Sequence, residues 1–161
     1  MSPKDGMAAA TWLAGVDPGR NKCGLALAQR RQAQVVAAAV LPPQASLSLL
    51  RRWQAQGLEQ VLLGNGTHSR QWQLQLERLG LQVDLVDERG TTLAARRRYW
   101  QLYPARGWRR LLPEGLRLPP RDVDDVVAQL LLERHWGQAL RPPAPESESG
   151  WCHLQARGPQ N

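Results

Sequence analysis

A chain of 161 residues with a net charge of +7 and only two cysteines is long enough for one domain to bury its own core without disulfide or metal staples. Cys23 and Cys152 stand far apart with no metal-ligand spacing, and no apolar run approaches the roughly 18 residues of a membrane span, so zinc modules, disulfide scaffolds and membrane spans are excluded. The N-terminal apolar run follows Asp5 and stops at Asp17, which predicts no secretory leader and a soluble, cytoplasmic protein with reduced thiols.

Residues 1–10 read as a flexible arm. The apolar stretch from Thr11 to Val16 predicts a strand buried on both faces. It ends on Asp17, and Pro18-Gly19 sets a tight turn, because proline fixes φ while glycine accepts φ > 0. Gly24–Gln29 and Gln34–Leu41 predict two more strands, joined by the polar turn Arg30-Arg31-Gln32 into an antiparallel meander. Leu41-Pro42-Pro43 ends the third strand. Ser46 is the expected N-cap of a helix whose apolar face carries Leu47, Leu49, Leu50, Trp53 and Leu58, with Gly57 at its break. Gln60–Leu63 predicts a short buried strand that runs into the turn Gly64-Asn65-Gly66-Thr67.

Thr67 or Ser69 is the expected cap of a second helix with the stripe Trp72, Leu74, Leu76 and Leu79, closed by Gly80. Gln82–Val86 alternates as a further strand and ends on Asp87-Glu88-Arg89. Thr91 or Thr92 is expected to cap a third helix over Leu93–Leu102, and Pro104–Pro120, with four prolines, predicts an irregular excursion. Asp122 is the expected cap of the last helix, Val123 to about Gly137, after which Pro, Ser, Glu, Gln and Gly predominate. The predicted folded domain is therefore 11–138 and the predicted disordered tail 139–161. The order βββ-α-β-α-β-α-α predicts an α/β fold: a mixed five-stranded sheet, a three-strand meander plus two parallel strands, flanked by helices.

In such sheets ligands bind beyond the carboxyl ends of the parallel strands. Asp17, the Gly64–Thr67 turn and Asp87-Glu88 all fall at such ends, and Asp122, Asp124 and Asp125 open the last helix. Carboxylates brought together repel until a cation offsets them. Hard oxygen donors select Mg²⁺ or Mn²⁺, and two such ions about 4 Å apart can clamp both the attacking water and the leaving oxygen of a phosphodiester. The alternative for Asp17 is a turn-stiffening carboxylate.

The positive charge is localised. Seven arginines lie between Arg89 and Arg110 with no acid among them, and the rest of the chain sums to zero. Tyr99, Trp100, Tyr103 and Trp108 are interleaved with them, the combination that phosphate binding plus base stacking needs. The alternative is a solvated helix face over buried aromatics. His68 and His135 read as surface or satisfied histidines, although His68 lies close to a strand-end loop and is the one placed to help with a proton or a phosphate.

Three stretches, Asp17-Pro18-Gly19 with Gly24, Asp87-Glu88-Arg89-Gly90-Thr91-Thr92, and Val123-Asp124-Asp125-Val126-Val127-Ala128, resemble the motifs of the YqgF/RuvX family. The similarity covers roughly Thr11 to Trp136. That family consists of ribonuclease-H-like proteins described as Holliday-junction resolvases and pre-16S rRNA processing nucleases. The resemblance implies a ribonuclease-H-like fold and a Mg²⁺- or Mn²⁺-dependent endonuclease, with Asp17, Glu88 and Asp124 as catalytic acids and metal ligands. Asp125 is a further metal ligand under this reading and Asp122 a reserve, while Asp87 caps the third helix or orients the site. Candidate nucleic-acid contacts are Arg20, Lys22, Thr67, Arg89, Thr92, Arg96, Arg97, Arg98, Tyr99, Arg109 and Arg110; Gly19 and His68 stand beside them. The implied partner is structured RNA or branched DNA, with a homodimer for a junction substrate and otherwise a monomer. Two alternatives stay open. The Gly64–Thr67 turn is similar to that of the ribonuclease-H-like module of Tex-type transcription accessory proteins, which implies binding without cutting. Asp-x-Gly after a first strand also opens the phosphate loop of actin-like ATPases, which need a second half that 161 residues leave no room for.

Overall fold

A computed structural model describes residues 12–143. The expected arm over 1–10, and the expected tail from 144 onward with Cys152 and His153, lie outside the described residues. The strands are β1 (Trp12–Asp17), β2 (Cys23–Gln29), β3 (Gln34–Leu41), β4 (Gln60–Gly64) and β5 (Gln82–Val86). The α-helices are α1 (Pro43–Ala55), α2 (Ser69–Arg78), α3 (Thr91–Leu102) and α4 (Asp124–Trp136), and two 3-10 turns, Gly107–Leu111 and Glu114–Leu116, fill the excursion before α4. The strand order is β3-β2-β1-β4-β5. β1, β2 and β3 pair antiparallel, and β4 and β5 add in parallel to β1. This is the mixed five-stranded sheet, a three-strand meander plus two parallel strands, that the element order predicts.

Strand alternation divides the core into two layers. Ala14, Val16, Leu25, Leu27, Val61 and Leu63 face one side, where Leu49, Leu50 and Trp53 of α1 and Trp72 and Leu76 of α2 cover them. Leu13, Ala26, Ala28 and Leu62 face the other, where Ala128 and Leu132 of α4 pack. α3 lies on α4 through Ala95, Tyr99, Val126 and Val127. β1, β2 and β4 are buried on both faces, which is why they read as nearly continuous apolar runs.

The helix starts depart from expectation. α1 begins at Pro43, three residues before Ser46, because proline suits the first helical position, where no N–H needs a partner. Ser46 is buried inside the first turn and donates its hydroxyl to the carbonyls of Leu41 and Pro42. At α2 the cap position is His68, without a side-chain cap from Thr67 or Ser69. Gly90, at φ 68°, precedes α3, so Thr91 is already helical and its hydroxyl donates to the Glu88 carbonyl at 2.6 Å. Asp122 does not cap α4, since its carboxylate is held by Lys22 at 2.7 Å and Val123 takes the cap position.

The folded unit also runs past the predicted boundary at 138. Leu140 is buried beside α4, and the Arg141 backbone donates to the Ala33 carbonyl and accepts from the Val35 amide, extending the β3 edge. Those Ala33 and Val35 backbone groups are the unpaired edge of the outer strand, so a short segment satisfies them at little conformational cost. No helix among the described residues is long and apolar enough to cross a membrane.

Candidate active site

The period of two along each strand decides where the acids go. Leu13 and Gly15 face α4, and so does Asp17, two residues further at the tip of β1. On β2, Gly24 stands opposite Asp17. A side chain at Gly24 would run into the backbone carbonyl of Asp124, and one at Gly15 into that of Ala128. These two glycines let α4 lie directly on β1 and β2, and that contact brings Asp124, the first residue of α4, to Asp17.

Glu88 arrives from the other side. Gly64 ends β4 opposite Val86, and the chain beyond β5 folds back over the turn that follows β4. The Asn65 amide donates to the Val86 carbonyl at 3.0 Å, and the Glu88 amide donates to Asn65 Oδ1 at 3.2 Å. The Glu88 carboxylate then rests on bare backbone: a side chain at Gly64 would strike its Oε2, and one at Gly66 its Oε1. Asp87 turns elsewhere and accepts the Arg89 amide at 3.0 Å.

Electrostatics show what this proximity costs. Burial, and then the charges of Glu88 and Asp124, raise the pKa of Asp17 from 3.8 to about 7. Burial, then Asp87, raises that of Glu88. Asp124 is raised by burial, against the pull of the Lys22 ammonium. Glu88 Oε2 and Asp124 Oδ2 are enclosed with no hydrogen-bond donor, and the ammonium of Lys22 stands 3.6 Å from the latter, an ion pair too long for a hydrogen bond. Enclosed, donor-poor carboxylate oxygens, two of whose owners raise the pKa of Asp17, are what a hard divalent cation relieves, and Asp17, Glu88 and Asp124 fit one in donor type. Among the described residues, no three acidic, histidine or cysteine side chains already stand in a closed ligand set.

Several candidate residues lie elsewhere. Asp125 is buried and bound to Arg121 at 2.8 Å, and that guanidinium covers the rings of Tyr99 and Tyr103 at 5.3 and 5.6 Å. Asp125 therefore faces α3 rather than a metal, and Tyr99 is a core residue rather than a stacking platform; the next helix residue points about 100° away from Asp124. Arg98 is likewise internal, pairing with Glu133 at 2.8 Å and donating to the Leu140 carbonyl. Arg20, Arg89, Arg96, Arg97 and Arg110 are exposed, as are Thr67 and Thr92. Arg109 lies 5.4 Å over the ring of the exposed Trp108. His68 is half-buried at the start of α2, and Lys22 spans Asp122 and Asp124. At Gly19 a side chain would collide with the Lys22 carbonyl, so this glycine closes the turn between β1 and β2. The seat that Gly64 and Gly66 provide for Glu88 was not foreseen. Its signal in the sequence is two glycines, two apart, at the end of a buried strand, a mark of close approach.

No protein-family model matches the chain, and a search of curated proteins finds no match. Solved structures similar in part include the following three. RuvC of T. thermophilus, in complex with a Holliday junction substrate, aligns over 81% of this chain and 98% of its own at 18% identity and a TM-score of 0.46. The large terminase nuclease from the thermophilic phage G20c aligns over 87% of this chain and 62% of its own, at 10% identity and a TM-score of 0.44. The ROK hexokinase of Thermus thermophilus aligns over 55% of this chain and 37% of its own, at 14% identity and a TM-score of 0.34.

Proposed function

We propose that this chain is a metal-dependent nuclease that hydrolyses phosphodiester bonds in structured RNA, such as a 16S rRNA precursor, or in branched DNA, as its resemblance to the YqgF/RuvX family implies. The observation that carries the reading is the acidic site. Three carboxylates converge at the carboxyl ends of the parallel strands, and two of their enclosed oxygens have no donor. Asp17, Glu88 and Asp124 would hold one or two Mg²⁺ or Mn²⁺ ions. Bound there, the metal would lower the pKa of a water so that it could lose a proton and attack phosphorus, and would supply positive charge to the oxygens of the scissile phosphate.

The chain's own residues do the remainder. The Asp17 carboxyl, raised to about 7 without a cation, must give up its proton to hold one, so metal binding strengthens as pH rises toward that value. Exposed Arg89, Arg96, Arg97 and Arg110 bind the flanking phosphates. Lys22 shields Asp124 from Asp122 until the substrate and its counter-ions arrive. A four-way junction would call for a two-fold dimer presenting two such sites, and a precursor RNA would not.

The test is cleavage by the purified protein of a labelled four-way DNA junction and of a precursor-like RNA hairpin, with Mn²⁺ or Mg²⁺. Wild type is expected to cut one of them, and Asp17→Asn to lose at least about a hundredfold in rate. Cleavage that survives Asp17→Asn rules the mechanism out. One observation favours a second reading, a nucleic-acid-binding module without hydrolysis: the acids form no closed ligand set, and Lys22 already leans on one of them. Binding without cleavage by wild type in both metals would establish it.

A further inference from the structure

Between α3 and the second 3-10 turn lies an open cavity of about 300 Å³, at the lower end of the sizes that hold small ligands. Arg96 and Arg97 give it cationic walls, Leu93, Trp100 and Leu118 apolar ones, and Glu114 is the carboxylate in its lining. The enclosure is tied together by hydrogen bonds. Trp100 Nε1 donates to the Arg117 carbonyl at 2.9 Å, and the Arg117 guanidinium donates to the carbonyls of Leu112 and Arg110. At its mouth, Leu93 and Leu118 are 60% and 66% exposed. A second cavity shares Arg96 and Leu118 with the first and continues past Lys22 to Asp124. The two cavities therefore adjoin at Arg96 and Leu118, and the second reaches Asp124 of the acidic site.

We infer that the cavity on α3 takes one unpaired nucleotide of the strand lying in the acidic site, its base against Leu93, Trp100 and Leu118 and its phosphate on Arg96 and Arg97. The inference rests on the nucleic-acid reading above and adds a subsite to it. A site for phosphate alone would not be walled by three apolar side chains and a carboxylate that repels the anion. A nucleobase meets both conditions, since its faces are apolar and its edges carry N–H donors for Glu114. A paired base offers neither, because its faces are stacked and its Watson–Crick edge is used. The cavity thus favours substrate with an unpaired nucleotide near the scissile phosphate.

Gly115 supplies the means to test this. Nothing lies within 4 Å of a Cβ built there, so Gly115→Phe can occupy the cavity without displacing backbone. The measurement is fluorescence anisotropy, without divalent metal, on labelled hairpins in RNA and DNA forms, each with and without a three-nucleotide single-stranded extension. Wild type is expected to bind the extended hairpins at least about fivefold more tightly than the blunt ones. Gly115→Phe is expected to lose that preference while its affinity for blunt hairpins and its thermal midpoint stay at wild-type values. Leu93→Ala, at a helix position already exposed, is expected to lose the same preference by removing one apolar wall of the base site without changing charge, and stands in if the first variant does not fold. A preference that persists in a folded variant overturns the subsite, as does wild-type binding of both hairpins with equal affinity; either leaves the nuclease reading standing. No binding of any hairpin by wild type overturns both.

Discussion

Asp17 makes the stability of the protein depend on pH in the opposite sense to a salt-bridged carboxylate. Its carboxyl has a pKa of about 7 in the folded chain against 3.8 for the free side chain, so between those values the folded state binds more protons than the unfolded one. Stability therefore falls as pH rises from about 4 to about 7. Glu88 and Asp124 shift in the same direction and add to the slope. Without divalent cations, the thermal midpoint is expected to drop by several degrees between pH 5 and pH 8. Asp17→Asn should flatten that profile, and Mn²⁺ at pH 8 should raise the wild-type midpoint but not that of the variant. Calorimetry across pH checks all three. At this scale the sequence was legible where chemistry is local: Asp17, Glu88 and Asp124 stand out as acids at element ends. It was not legible for Asp125, whose partner Arg121 also covers two tyrosine rings, or for Arg98, whose partner Glu133 lies on another helix. The Arg98–Glu133 pair depends on which helix faces meet, and no spacing within one helix reveals it; Arg121 stands only four residues before Asp125, but it precedes the helix, and its position over two tyrosine rings is not written in that spacing.

Among the elements, α4 does most to assemble the site, because it alone carries an acid to the sheet from outside it. Its seat on β1 and β2 has no room for a side chain at Gly15 or Gly24. Gly24→Val is expected to cost about 3 kcal/mol in urea denaturation, the upper end of the usual range for overpacking, because the new side chain meets backbone. Because the Asp124 backbone is what the new side chain would meet, the same variant should bind Mn²⁺ more weakly, which titration of the ion followed by electron paramagnetic resonance would show. The strands were legible nearly to the residue, since strands buried on both faces are written as apolar runs bounded by turn residues. The helix starts were less so. Serine, threonine and aspartate invite a cap assignment wherever they precede an apolar stripe. Here Pro43 and Gly90 perform that task through backbone geometry, and Asp122 is drawn away by Lys22, about a hundred residues earlier. The segment around Leu140 was lost for a similar reason: composition marks it as tail, while its burial depends on a cleft formed by β3 and α4.

Over the whole molecule, the arginine-rich block separates into two populations. Arg98 is spent internally on Glu133 and the Leu140 carbonyl, whereas Arg89, Arg96, Arg97 and Arg110 face solvent. Each phosphate neutralised steepens the salt dependence of binding by roughly 0.7 to 0.9 in the logarithmic slope. Arg96→Ala is therefore expected to reduce that slope by about one such increment. Arg98→Met should leave the slope unchanged and instead lower stability by about 3 kcal/mol, since it strands Glu133 without its partner. Binding isotherms at several salt concentrations, beside urea melts of both variants, separate the two populations.

One further consequence comes from Cys23, the first residue of β2 and the last of the turn that carries Lys22. Its thiol is buried, donates to the Gly19 carbonyl, and is held above its ordinary pKa chiefly by burial. A thiol so placed stays protonated and out of reach of alkylating reagents until the turn opens. The protein thus carries, next to its acids, a chemical clock for local opening: in a background without Cys152, the rate of Cys23 alkylation counts how often the β1–β2 turn leaves its closed state, with no label introduced at the site.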